Sequence, residues 1–274
     1  MNQKSMAAAA QAPGTAASVP ATQAAIKKTF NDLVHTDTVQ RRFSEVTKER
    51  TPQFLASLLN VVNSNNALQE IGRSNPESIF KSAAVAAALD LPIDKNLGFA
   101  WIVPYGSLAQ FQMGWKGYVQ LAMRTGQYLR INCVPVYKNQ FKKYNALTET
   151  LDAKFDVEGE GAPIGWACYF KLINGFEKIQ YFTRDYLVAH GKRFSKSFGK
   201  SDSAWQTNQE AMCMKTAVKA TLSKWGILSV ELRKAIVADQ AAIKDESLET
   251  PEAVDYIDND KNETAAPREP GMDD

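Results

Sequence analysis

Four cations, Lys192, Arg193, Lys196 and Lys200, fall within nine residues, with Phe194 and Phe198 between them, glycines at Gly191 and Gly199, and no acidic residue. So dense a positive charge is electrostatically costly unless an anion meets it, and phosphates are the obvious anion. A second set, Lys138, Lys142 and Lys143, interleaves with Tyr137, Phe141 and Tyr144. Cations to hold phosphates and aromatic faces to stack bases are what a single-strand binder needs, although the same aromatics would serve as packing anchors. Lys116, Gln120 and Arg124 stand at i, i+4 and i+8, one polar stripe opposite Trp115 and Tyr118; a solvated helix face explains that stripe equally well. Lys215 and Lys219 share one face of an otherwise apolar helix, and because a lone buried lysine is costly the pair should face a groove or an anion.

Catalytic constellations are missing where an enzyme of this size would show them. Gly199-Lys200-Ser201 matches the end of a phosphate-binding loop, but Phe194 stands where the first glycine is required, so the backbone cradle cannot form. His35 and His190 are the two histidines, and neither has a ligand-type partner at metal spacing. Asp90 with Asp94 flanks Pro92 and reads as turn chemistry, while Asp152, Asp156, Glu158 and Glu160 read as a solvated loop rather than a metal-nuclease cluster. No GxSxG nucleophile motif is present. The expectation is therefore no catalytic residue, no metal and no cofactor.

The chain has 274 residues with ordinary globular composition, 45% hydrophobic and 23% charged, which excludes collagen, coiled coil and wholesale disorder. Apolar runs such as Ala83 to Leu89 are far shorter than the roughly 18 residues a membrane helix needs, and no signal peptide is evident, so a cytoplasmic protein is expected. Cys133, Cys168 and Cys213 are scattered and odd in number, as expected for reduced, buried thiols. Net charge is +2, but its distribution is uneven. Residues 1–239 hold 29 basic and 19 acidic side chains, net +10, whereas residues 240–274 hold 3 and 11, net −8. A basic body suits a polyanion, and an acidic tail can compete with it or recruit another partner; a merely solubilising tail fits as well.

These residues need elements to position them. Residues 1–35 read as a disordered Ala-rich arm, 36–240 as the folded domain, and 241–274 as a flexible acidic tail. Thr51 as N-cap with Pro52 opens a helix burying Phe54, Leu55, Leu58, Leu59 and Val62, and Asn75-Pro76 opens an Ala-rich helix ending at Asp90-Leu91-Pro92. The period then changes to two. Leu97 to Val103 and Leu108 to Met113 form a hairpin about Pro104-Tyr105-Gly106, and Gly114 leads into a helix closed by Gly126. Tyr128 to Val136 is a strand that Pro135 marks as an edge, and Ile164 to Leu172 with Phe176 to Phe182 is a hairpin about Asn174-Gly175. Ser203 with Gln206 is a capping box opening a helix to about Lys224, and Ser229 opens another. The sum is α+β: antiparallel hairpins and a strand forming a small sheet with a packed helix, flanked by N-terminal and C-terminal helices.

From Ser78 to Tyr128 the chain reads SIFKSAAVAAALDLPIDKNLGFAWIVPYGSLAQFQMGWKGYVQLAMRTGQY, which resembles the RecT family of phage and prophage single-strand annealing proteins. The likeness continues through the later hairpin to Trp205–Gly226 and spans roughly residues 40 to 235. Its most specific elements are Leu89-Asp90-Leu91-Pro92, the run Gln110 to Gly117, and the late helix with Lys215. The resemblance implies an ATP-independent recombinase, similar to phage Beta and the eukaryotic ring-forming annealases. Such a protein binds single-stranded DNA, assembles on it as a homo-oligomeric ring or helical filament, and anneals a complementary strand through a duplex intermediate. It implies a phage or prophage gene, a phage exonuclease partner and, as a further partner, the host single-strand-binding protein. Carried over by position, Lys116 and Lys215 are the expected DNA contacts; Arg124, Lys138, Lys142, Lys143, Lys192, Arg193, Lys196, Lys200 and Lys219 are added from charge alone. Trp101 and Phe111 could wedge between bases, with core packing the competing role. Charge reversal at Lys215 is expected to abolish annealing without unfolding. The rival function is a passive single-strand binder, with a metal nuclease third.

Overall fold

The computed structural model describes residues 28–227 and 229–239, together with the backbone of 241–243 and 254–256. Its first half is helical: α1 (Phe30–Val34), α2 (Asp37–Thr47), α3 (Thr51–Asn63), α4 (Asn66–Ser74) and α5 (Pro76–Ala88). Alanines let these helices approach closely, and Ala83, Ala86 and Ala87 are buried on α5 beside Ile79 and Phe80. Phe30 stacks on Phe80 with ring centroids 5.1 Å apart, and Val34 is fully buried. The packed unit thus begins before residue 36, because an apolar pair in α1 has a core to enter; residues 1–27 lie outside the described residues. Thr51 is the first helical residue of α3 rather than its cap, its hydroxyl donating to the Lys48 carbonyl at 2.6 Å.

Strands β1 (Ala100–Tyr105) and β2 (Leu108–Met113) pair antiparallel from Ala100 opposite Met113 to Tyr105 opposite Leu108. Pro104 and Tyr105 therefore belong to the strand, and the turn is Gly106-Ser107, where Gly106 takes the left-handed φ of +58°. On β1 the inward face is that of Ala100 and Ile102, which are buried, whereas Trp101 is 36% exposed. Ile102 faces Phe111 across the pair, so Phe111 is core and Trp101 is surface. Ser78 and Ser82 of α5 clamp β2, Ser78 Oγ accepting from the Ala109 N–H and Ser82 Oγ donating to the Ala109 carbonyl, each at 3.0 Å.

Helix α6 (Trp115–Arg124) starts immediately after β2 and ends at Gly126. A Cβ on Gly114 would lie 2.1 Å from the Gly98 carbonyl oxygen and one on Gly117 2.3 Å from that of Phe99, so both glycines are needed for α6 to abut the 98–99 backbone. The main sheet has order β3-β6-β7, all antiparallel: β3 (Tyr128–Val136), β6 (Gly165–Leu172) and β7 (Glu177–Thr183). β3 is an edge, as Pro135 requires, and the nearly continuous burial of β6 marks it as the centre. Cys133 and Cys168 are cross-strand partners with sulfurs 2.9 Å apart; their mutual hydrogen bond and then burial push the Cys133 thiol up, and burial pushes Cys213 to about 11. A second hairpin, β4 (Phe141–Asn145) with β5 (Thr150–Ala153), occupies a stretch to which the sequence pattern assigns no strand, and it bulges between Phe141 and Lys143.

The later helices are α7 (Arg184–Phe194), α8 (Ala204–Thr207), α9 (Gln209–Trp225) and α10 (Val230–Ala238). The capping box at Ser203 does not form. The Gln206 side chain donates instead to the Phe198 carbonyl at 2.7 Å, and the chain breaks at Asn208, whose side chain caps α9. Ser229 caps α10 through the Leu232 N–H at 3.1 Å. Helix α9 lies across the main sheet and against α6, completing the α+β architecture. Strands β8 (Ala241–Ile243) and β9 (Val254–Tyr256) pair antiparallel inside the segment expected to be a flexible tail; the remainder of that segment lies outside the described residues.

Candidate nucleic-acid interface

Because β1 turns Trp101 and Val103 outward, they form one wall of a groove of about 430 Å³. Gly98, Gly114, Trp115 and Lys116 line it as well, together with Ala204, Thr207, Asn208, Ala211 and Met212 of α8, α9 and the break between them. Lys116 sits 5.9 Å from the centroid of the Trp115 ring. At the hairpin tip, Lys196 sits 5.8 Å from that of Tyr105, which brings the loop after α7 to the far end of β1. The lining is thus largely aromatic and apolar with Lys116 beside it, a combination that receives a planar base while neutralising a flanking phosphate; Lys196 lines neither hollow but is exposed close by, at the tip of the same hairpin. Across Met212 and Lys215, which line both, lies a second hollow of about 280 Å³ with His190, Phe194, Ser195, Trp205 and Lys219 among its lining residues.

The remaining cations divide by what already holds them. Lys192 and Arg193 are exposed in the last turn of α7, where the helix dipole also favours positive charge, and Arg193 lies 4.9 Å from the Phe194 ring. Lys200 is exposed in the following turn. Arg124 is committed elsewhere: its guanidinium donates to the carbonyls of Leu89 at 2.8 Å and Asp90 at 2.7 Å. It pins the turn in which Asp90 takes a φ of +52°, so it is a clamp on the fold rather than a free phosphate ligand. Lys138, Lys142 and Lys143 are exposed, but none lines either hollow. Lys142 pairs with Asp152 at 3.4 Å, while Phe141 stacks 4.9 Å from Tyr181 and Tyr144 meets the same ring edge-on. Those two aromatics anchor the β4–β5 hairpin to β7.

Lys215 departs furthest from expectation. It is 6% exposed, and its ammonium donates at 3.0 Å to Asp239, with Lys219 donating to the other carboxylate oxygen at 3.2 Å. The Tyr118 hydroxyl at 2.7 Å and the Met113 N–H at 2.9 Å complete four donors around a fully buried carboxylate. Burial alone would raise Asp239, yet the two lysines and these hydrogen bonds hold it well below the usual carboxylate range. Burial pulls Lys215 below the usual lysine value, because it has one acid to share with a neighbouring cation. Burial, reinforced by the Asp239 charge, pushes Tyr118 well above the ordinary phenol. The anion demanded by the lysine pair is therefore internal, and Lys215 does not offer its charge to the surface. Asp239 itself carries no sequence signal, being a single acid just after a short helix. Tyr105 was equally hard to find, since nothing in the sequence shows that the loop after α7 returns to the hairpin.

Among the described residues no three His, Cys, Asp or Glu side chains converge to hold a metal, and no helix is long and apolar enough to cross a membrane. Comparison with known proteins bears on what the groove serves. The model of the RecT family matches residues 52–254. The chain is also 47% identical over 244 residues to an uncharacterized protein, YqaK, of Bacillus subtilis (strain 168), an alignment covering 87% of this chain and 83% of that protein.

Proposed function

Since the chain belongs to the RecT family, a family of single-strand annealing and recombination proteins, we propose that it binds single-stranded DNA in the groove between β1 and α8–α9, oligomerises on it and anneals a complementary strand without ATP. The observation that supports this reading is the tryptophan-lined groove with Lys116 in its lining, next to a hairpin whose Tyr105 carries Lys196 over its ring. Trp101 and Trp115 offer faces on which a base stacks, and Lys116, with the exposed Lys192, Arg193, Lys196 and Lys200 of α7 and the loop after it, takes the backbone. Phosphate contacts carry no base information, so specificity would come from the incoming strand. The duplex intermediate, a ring or filament of identical subunits, a phage exonuclease and the host single-strand-binding protein as partners, and a bacterial cytoplasmic setting belong to the same proposal.

The test is the annealing rate of two complementary fluorescent oligonucleotides at low salt, without nucleotide and with EDTA. Acceleration is the expected result. Tight single-strand binding that slows pairing identifies a passive binder and overturns the annealing reading. Degradation of labelled DNA on adding Mg²⁺ or Mn²⁺ would instead reveal a nuclease.

A further inference from the structure

The cysteines have no part in the scheme above, and two of them are placed for chemistry of their own. Cys133 on β3 and Cys168 on β6 stand directly opposite each other with sulfurs 2.9 Å apart. Which kind of cross-strand pair they form follows from where β6 aims its backbone. The Arg184 N–H donates to the Ile164 carbonyl and the Leu172 N–H to the Phe176 carbonyl, each at 2.8 Å, so the even-numbered positions of β6 turn their polar groups toward β7. Cys168 is one of these and offers none to β3. Cys133 agrees from its own side, its N–H donating at 2.9 Å to the side-chain oxygen of Asn132. The two cysteines are thus a non-hydrogen-bonded pair, the closer of the two antiparallel kinds, with Cα atoms ~4.5 Å apart. A disulfide spans that separation, and the sulfurs need to approach by only roughly 0.9 Å to bond. Cys168 is buried and Cys133 partly exposed, so an oxidant meets the pair from the β3 side. The hydrogen bond between them keeps Cys133 a thiol at rest, and the pair is quiet until a strong oxidant arrives.

We propose that Cys133 and Cys168 are a reversible redox pair, which hydrogen peroxide converts into a disulfide that staples the edge strand β3 to the centre of the sheet. The Cys133 sulfur attacks the O–O bond and becomes a sulfenic acid, and the other oxygen leaves as water. The Cys168 sulfur then attacks the sulfenic sulfur, forming the S–S bond and releasing a second water. Two thiols give up two electrons and two protons, and the peroxide is reduced to two waters. A small dithiol restores both thiols by exchange and is itself oxidised to a disulfide. The staple acts where the sheet is weakest, since β3 is bonded on one side only, and it closes a loop that carries the β4–β5 hairpin. Neither cysteine lines either hollow, so this chemistry is independent of what the hollows bind.

The experiment treats the full-length protein with hydrogen peroxide, unfolds it, blocks the remaining thiols with iodoacetamide and maps the peptides by mass spectrometry. A peptide pair linked through Cys133 and Cys168 and released by dithiothreitol is expected, with Cys213, fully buried on α9, recovered as the blocked thiol. Sulfinic acid at Cys133 with Cys168 unreacted, or links that run to Cys213, would overturn the proposal. A second arm equilibrates the full chain with mixtures of reduced and oxidised dithiothreitol, once folded and once in urea, and counts the 133–168 link. The folded protein should favour that link by about tenfold over the unfolded chain, and by linkage oxidation should raise the urea midpoint by about 0.5 M. Equal constants in the two states, or a midpoint lowered by oxidation, would mean that the fold resists the bond and would sink the idea. Cys133→Ser should abolish the oxidative shift in midpoint; a shift that persists would assign it to another thiol and overturn the pairing.

Discussion

Lys215 and Lys196 are one residue type in two settings, 19 positions apart in the chain. Lys215 is enclosed by α6, α9 and the end of α10, its charge matched by a carboxylate that has no exposure. Lys196 is exposed, 5.8 Å from the centroid of the Tyr105 ring. A buried lysine is retained because its partner is present, and it holds helices together; an exposed lysine over an aromatic ring costs little to hold and leaves its charge available. Positive charge in this sequence therefore serves two ends, and the environment alone separates them.

The sharpest way to break that contrast is to remove the internal anion. Asp239→Ala should destabilise the protein by about 3–5 kcal/mol in urea unfolding, since it strands a buried ammonium, while Asp239→Leu combined with Lys215→Met should recover most of the loss. Lys215→Glu, which the sequence alone presents as a clean functional probe, should unfold the protein for the same reason, with two carboxylates forced together. The pair also predicts a pH dependence. Asp239 is held below its ordinary value in the folded state, so its contribution is complete above about pH 4 and is lost as pH falls below that, whereas Asp239→Asn should lack this part of the acid slope.

On the exposed side, Trp101→Ala should weaken single-strand binding by about 1–3 kcal/mol in a fluorescence titration and leave the unfolding midpoint nearly unchanged. A matching loss of stability would mean that Trp101 packs rather than stacks. Arg124→Gln should do the reverse, costing about 1 kcal/mol of stability through the Leu89–Asp90 turn with annealing intact. The smallest effect is expected at Lys196→Gln, which should reduce the slope of log affinity against log salt by about 0.7, one phosphate contact on a single strand. An unchanged slope would place Lys196 among the structural cations with Lys215.

Local rules were legible wherever the residues that enforce them are neighbours. Asn174-Gly175 marked a hairpin, Pro135 marked an edge strand, and Ser229 marked a helix start, because a turn, a missing N–H and a cap each act within a few residues. The capping box at Ser203 failed for a nonlocal reason: Gln206 found a better acceptor in the Phe198 carbonyl, from the folded-back loop. Alternation left Trp101 and Phe111 open between core packing and contact with bases; the fold separates them because Ala100 and Ile102 fill the buried face of β1, with Ile102 opposite buried Phe111, which leaves Trp101 on the surface. The β4–β5 hairpin was hidden by its charges, since it is held by two aromatics on a distant strand rather than by an apolar face of its own.

For the candidate site, the sequence by itself determined the family resemblance, the antiparallel α+β plan, the surplus of cations and its separation from an acidic tail. These depend on composition and short-range spacing, which survive without coordinates. Only the tertiary structure decided which cations are free. Asp239 meets Lys215 across 24 residues and Tyr118 across 121, and Lys196 meets Tyr105 across the whole main sheet. Whether a charge is spent inside or offered outside depends on partners that only the fold brings within a few ångströms.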